Sequence, residues 1–241
     1  MSVRHFLLRH FLQSLFLALP IGAFAQDSVQ TYEVRGLGVK LGVFQLRSAQ
    51  TEAGYSIASR FETSGMMQVF ARIRMDMQAT GALTGARPRP LRYSENIDTG
   101  RRQSDVTLTW RGGRPQVSGG HLNPEGTPAD PAAQTDALDP ASMLLLAAAP
   151  QAKDALCGLT QPVFDGARRT RVTLAPAQGK QQEITCTGEF LREAGYSAEQ
   201  LARAKSFGLN LTYAPGPDGL YLLNEAKVDT IFGPLRLTLS K

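Results

Sequence analysis

In the stretch "DVTLTW", Val106, Leu108 and Trp110 alternate with Asp105, Thr107 and Thr109. A period of two sends successive side chains to opposite faces of a strand, so one face is apolar and the other wet. The pattern recurs in "VFARIRMDMQ", where Val69, Ala71, Ile73, Met75 and Met77 oppose Arg72, Arg74, Asp76 and Gln78. It recurs in "FGLNLTY", with Phe207, Leu209, Leu211 and Tyr213 on one side, and in "PLRLTLSK", with Leu235, Leu237 and Leu239 together. Breakers separate the runs: "EAG" before Tyr55, "ATGALTG" after Gln78, "DTG", "RGGRP" and "PGPDG". The expected fold is all-β and mainly antiparallel. It should be a barrel-like or open curved sheet of roughly ten strands with one or two short helices.

Helical signals are confined to two places. In "LDPASMLLLAAAP" Asp139 can cap, Pro140 suits the first turn and Pro150 stops the run, which predicts a helix over 140–149. It is apolar nearly all round, so it belongs in the interior, plugging a barrel or covering a pocket. "SAEQLARAKS" predicts a second short helix over 197–206, capped by Ser197. Between 119 and 136 the chain is rich in Pro, Gly and Ala without apolar period, which reads as a long loop.

The first 25 residues read as a cleavable signal peptide. Arg4 and Arg9 form a basic start, an apolar run follows, and Ala23-Phe24-Ala25 ends it. Residues 26–241 then form a single β-rich domain of 241 − 25 = 216 residues, and the charge falls from +5 to +3 without those two arginines. No later segment is apolar and long enough to span a bilayer as a helix. The expected location is the periplasm.

Cys157 and Cys186 are the only cysteines. In an exported chain two cysteines pair, so a disulfide-stapled hairpin is expected. The intervening stretch supplies no His for a metal, and there is no C-x-x-C redox pair. Outside the signal the only histidine is His121, read as a loop residue, so a His-rich metal site is excluded. No G-x-S-x-G precedes a helix. "GLGVKLG" lacks dinucleotide spacing and reads as a hairpin, and "RGGR" reads as a turn between strands and not as an RNA-binding repeat. Glu189 and Glu193 lie close in sequence, but nothing marks them as a glycosidase pair. Asp165, in "VFDG", reads as a turn residue pairing Arg168 or Arg169, or as a polar anchor at a pocket mouth. Arg169 and Arg171 share one strand face. They either balance nearby acids or present two guanidinium forks to an anionic headgroup.

Several segments together resemble the bacterial exported proteins grouped as the domain of unknown function 3108 family. They are "TYEVRGLGVKLGVFQL", "ALDPASMLLLAAA", "PVFDGARRTRVTL" with the second cysteine after it, and "GLYLLNEAKVDTIFGPLRLTLSK". The resemblance implies a periplasmic, signal-bearing, β-rich protein of barrel-like architecture. It brings no activity and no catalytic residue with it.

The residues thus describe a protein with no recognisable catalytic constellation, no cofactor and no nucleic-acid partner. The first reading is a periplasmic β-barrel-like binding protein that buries a lipid or other apolar small molecule. Its lining would be Val69, Ile73, Met75, Trp110, Leu209 and Leu211, with Arg169, Arg171 and Asp165 at the rim. A filled core predicts the same inward residues. The alternative is a non-catalytic cell-envelope scaffold or assembly partner with an envelope protein as its contact. A hydrolase of envelope polymers is the third.

Overall fold

A computed structural model describes residues 26–100, 103–122, 126–178 and 182–240. The signal-peptide reading of 1–25 lies outside the described residues. Thirteen strands form one antiparallel sheet. The first seven are β1 (Gln26–Gly36), β2 (Val39–Gln50), β3 (Gly54–Thr63), β4 (Arg74–Thr84), β5 (Arg87–Asp98), β6 (Gln103–Arg111) and β7 (Arg114–Leu122). The second six are β8 (Leu159–Phe164), β9 (Arg169–Leu174), β10 (Ile184–Ala194), β11 (Ser206–Pro215), β12 (Tyr221–Thr230) and β13 (Gly233–Leu239). Each set is a meander of sequential neighbours. The two are joined by pairing of β1 with β13, for example Val34 opposite Leu237. The sheet is open: β7 and β8 are its two edges.

The sheet rolls because alternation gives it one apolar face. Tyr32, Leu46, Ile57, Tyr93, Val106, Leu108, Leu211 and Tyr213 all point inward and are buried. A bulge between Thr80 and Gly81 tightens the curve. A Cβ on Gly81 would lie 2.3 Å from the Arg89 carbonyl oxygen and 2.6 Å from the Tyr55 ring, so only glycine allows that approach. The roll continues until the β8–β9 turn lies under β6. Gly166, at φ +100°, sits where a Cβ would come 2.7 Å from the Val106 side chain. The ends of the sheet therefore overlap without hydrogen-bonding to each other.

Helix α2 (Pro140–Ala148) runs through the interior and touches β3, β4, β5, β8 and β12. The expected cap and stop are both present. Asp139 Oδ1 accepts from the Ser142 amide at 2.8 Å, with Pro140 in the first turn. Two tyrosines fasten the helix. Tyr55 shares a 2.5 Å hydrogen bond with Ser142 Oγ, and Tyr213 donates to the Ala147 carbonyl at 2.7 Å. The second expected helix is shorter than its sequence signal. It is α3 (Ala198–Arg203), with a capping box between Ser197 and Gln200.

Two expectations change. The strand read through Val69–Ile73 is instead a one-turn helix, α1 (Met67–Phe70), followed by an extended link; β4 starts at Arg74. The cause is local competition for the backbone. Gln68 Nε2 donates to the Thr63 carbonyl at 2.7 Å, while the Thr63 hydroxyl donates to the Ala71 carbonyl and accepts from the Ile73 amide. Val69 is therefore 84% exposed and lines nothing inside. Residues 119–122 belong to β7, so the long loop begins later, and His121 lies opposite Ser104 in a strand. The thirteen strands and their open, mainly antiparallel arrangement are in keeping with the expected curved sheet.

Cys157 and Cys186 form a disulfide, with Cα atoms 5.3 Å apart. It fixes the chain leaving α2 to the buried face of β10, where Cys186 has no exposure. Closing a loop of this size restricts the unfolded chain by about 3–4 kcal/mol. The double substitution Cys157→Ala with Cys186→Ala should lower the urea-unfolding free energy by about that amount. An unchanged midpoint would show that packing alone holds the crossover.

Candidate functional site

Arg169 and Arg171 lie on one face of β9, as their spacing requires. Arg169 is engaged on all sides. Its guanidinium forks onto Asp136 at 2.8 and 2.9 Å, donates to Gln134 Oε1 at 2.9 Å, and donates to Glu193 at 2.8 Å. Arg171 pairs with the second oxygen of Glu193. The fork to Asp136 holds that carboxyl below its usual range. Asp165 closes the turn that leads into β9. Its Oδ1 accepts the amides of Ala167 at 3.0 Å and Arg168 at 2.7 Å. The cluster thus brings Arg169, Arg171, Glu193 and Asp136 together. Its evident work is to clamp the crossover 126–139 over edge strand β8, where Leu138 and Val163 also form a bridge.

The other sequence-predicted residues are scattered. Trp110 and Leu209 are partly buried and pack against the core, and Leu211 is buried. Met75 and Ile73 are half-buried near the start of β4. These side chains share an inner face that α2 and five buried tyrosines also occupy.

Two acids lie fully inside. Glu95 accepts from the Tyr93 hydroxyl at 2.6 Å and from Ser104 Oγ. Asp139 accepts from Ser142 Oγ at 2.6 Å as well as from its amide. Burial pushes the Asp139 carboxyl up to about 6, against the pull of its Ser142 hydrogen bonds. Burial likewise raises the Tyr93 hydroxyl, with Glu95 and Asp139 adding to the effect. Hydroxyl donors hold both acids: Tyr93 and Ser104 on Glu95, and Ser142 on Asp139.

The Asp139 shift has a measurable sign. The folded carboxyl holds its proton more tightly than the unfolded one. Its contribution to stability is full below the ordinary value of 3.8 and is lost as pH rises through about 6. Asp139→Asn keeps a cap acceptor and removes the titration. Relative to the parent, the variant should gain on the order of 2–3 kcal/mol between pH 4 and 7 in urea titrations. A difference that does not vary with pH would refute the assignment.

Two surface features lie outside what strand alternation predicts. The first is a set of apolar tips. Leu37 (77% exposed) and Val39 sit at the β1–β2 turn, Met66 just before α1 with Val69 and Phe70 (76%) on it, and Ile231 and Phe232 (78%) in the β12–β13 turn. All lie at one rim, on the consecutive strands β3, β2, β1, β13 and β12. They are neighbours: the Ser64 amide donates to the Leu41 carbonyl at 3.1 Å, and a Cβ on Gly233 would lie 3.1 Å from Leu37. The sequence did carry a signal here. "TIFG" places two large apolar residues in a two-residue turn, where polar residues or glycine are the rule.

The second is an outer-face groove of about 490 Å³ across β1–β5, walled by Arg47 and Arg92. It continues into a second concavity of about 580 Å³ that reaches Arg60, Arg74 and Asp76 toward the apolar rim. Alternation predicts that Arg47 and Arg92 are wet, but not that the strands between them carry side chains small enough to leave a trough.

An open, rolled antiparallel sheet with a helix through its middle defines the class: a β-barrel-like protein. The chain matches the family described as a protein of unknown function, DUF3108, over residues 31–193, and it belongs to that family. A search of curated proteins finds no match. Among solved structures it is similar to a β-barrel-like protein of domain of unknown function DUF1849 from Brucella abortus. That similarity has 14% identity and a TM-score of 0.48, and covers 89% of this chain and 96% of that one.

Proposed function

We propose that this protein is an exported, non-catalytic component of the bacterial cell envelope that docks by its apolar rim on an anionic lipid surface. The observation that carries the reading is the gathering of seven exposed apolar residues on three neighbouring tips at one end of the molecule. Protruding apolar tips enter the boundary between headgroups and acyl chains, and an exposed patch of this kind marks an interaction surface. The side wall next to the tips is rich in cations. Glu33 is shared by Arg35 and Lys40, Asp76 by Arg60 and Arg74, and Glu225 by Lys227 and Arg236. With Arg72 added, these cations exceed the acids of the band, even counting Glu62 and Asp229. Each excess cation near an anionic leaflet contributes about 1 kcal/mol.

The reading keeps the lipid of the first sequence reading but leaves it in its bilayer. The interior that was to hold it is occupied by α2 and its tyrosines, which supports action by surface contact. The disulfide supports an oxidising compartment. Among the described residues no helix is long and apolar enough to cross a membrane.

Co-sedimentation with vesicles containing phosphatidylglycerol should show binding that weakens as salt rises. Val69→Asp with Phe70→Asp should reduce it by about tenfold or more, since each change removes an inserted apolar side chain and adds a charge. Unchanged sedimentation would exclude the lipid surface. Self-association abolished by the same pair, without vesicle binding, would replace lipid by a second copy of the chain.

A further inference from the structure

We propose that the outer-face groove is a binding site for a phosphate-bearing ligand, held between the guanidinium groups of Arg47 and Arg92. Strand register fixes the arrangement. Arg47 on β2 is in line with Ala58, Gln78 and Ser94 across β3, β4 and β5. Arg92 on β5 is in line with Thr80, Ser56 and Ala49 in the opposite direction. The two arginines thus stand on opposite walls, three strand spacings (about 14 Å) apart across the sheet and two residues apart along it, and both line the same floor. That floor is low because its residues are small: Ala58, Ser56, Thr80 and Ala49. Hydroxyls of Ser56, Thr80 and Ser94 supply neutral donors between the two charges. Asp27, at the β1 side, is the one acid among the described lining residues.

Three observations select an anion. Among the described residues neither Arg47 nor Arg92 enters a side-chain hydrogen bond or ion pair, whereas Arg60 and Arg74 lower in the trough are both bound to Asp76. The open charge is therefore concentrated in the upper part. That part also adjoins an arginine corner. Arg87 and Arg89 stand at the β4–β5 hairpin, and Arg111 and Arg114 at the β6–β7 hairpin, all exposed. No acidic residue occurs in 77–94 or 106–120, so the field there has one sign. Finally, no aromatic side chain lines either part of the trough, so a nucleobase has no stacking platform. Guanidinium forks on two walls with hydroxyls between them suit the tetrahedral oxygens of a phosphoryl group.

The same chemistry is offered by a soluble polyphosphate or phosphorylated metabolite and by a lipid headgroup. Isothermal titration of the whole mature protein at physiological ionic strength, with inorganic tripolyphosphate and with dihexanoyl phosphatidic acid, separates them. At least one should bind at a single site. Arg47→Gln and Arg92→Gln should each weaken binding by about tenfold, the equivalent of one charge-assisted hydrogen bond. Both residues are exposed, so thermal melts should be unchanged. Phosphatidic acid binding tighter than tripolyphosphate assigns a lipid source, and the reverse order a soluble one. Absence of binding by both probes overturns the proposal. So does binding that survives both substitutions but is lost in Arg87→Gln with Arg111→Gln, since the corner would then act alone. The Val69→Asp, Phe70→Asp protein should still bind the probes, so failure at the groove and failure at the rim are read separately.

Discussion

Among the described residues the two edges of this sheet do not meet by hydrogen bonds, and much of the rest of the structure answers that constraint. A closed barrel removes its edges by pairing them. Here β7 and β8 end the sheet, and the roll must be held by side chains and by the crossover that joins the two edge strands. Three fasteners act along that crossover. Arg169 grips Asp136 and Gln134 at one end. The cap of α2 is hydrogen-bonded to β3 through Ser142 and Tyr55 in the middle. The disulfide ties the far end to β10. Their spacing explains why the segment is not a free loop despite its composition.

This arrangement also accounts for the interior. A rolled apolar face of this length encloses more space than its own side chains fill, and α2 occupies it. The helix carries its polar cap inside with it, so Asp139 is wholly buried. Its carboxylate is offset by an amide, a hydroxyl and, through Ser142, a tyrosine. The result is an interior organised by tyrosine hydroxyls that reach backbone or side-chain acceptors on the plug. Such satisfied buried polar contacts fix the position of a helix whose apolar surface alone would not choose a rotation.

Much of this was legible in the sequence because alternation is a direct consequence of strand geometry. Val106 and Leu108 point inward as their spacing requires, and the Asp139–Pro140 start of α2 is where the cap chemistry puts it. The pairing of Cys157 with Cys186 followed from their number. What failed did so for local reasons. At Thr63–Ile73 a hydroxyl and an amide side chain redirected the backbone, so a period of two was kept in the residues but not in the structure. The candidate site was less legible. The rim arginines read from "VFDGARRTR" pair with Asp136 and Glu193, which are distant in sequence, so no spacing reveals those partners. Arg47 and Arg92 share a trough only through register across three strands, which no single segment contains.

The topology bears on how the molecule is assembled. Within each meander every strand finds its partner among its immediate successors, and such local contacts form readily. The joint between β1 and β13 is different, since it unites the first strand with the last. A chain that appears from its amino end can zip up its leading meander early. It must nevertheless wait with β1 half-paired until the final strand appears, and that exposed seam is where premature association with another chain would begin.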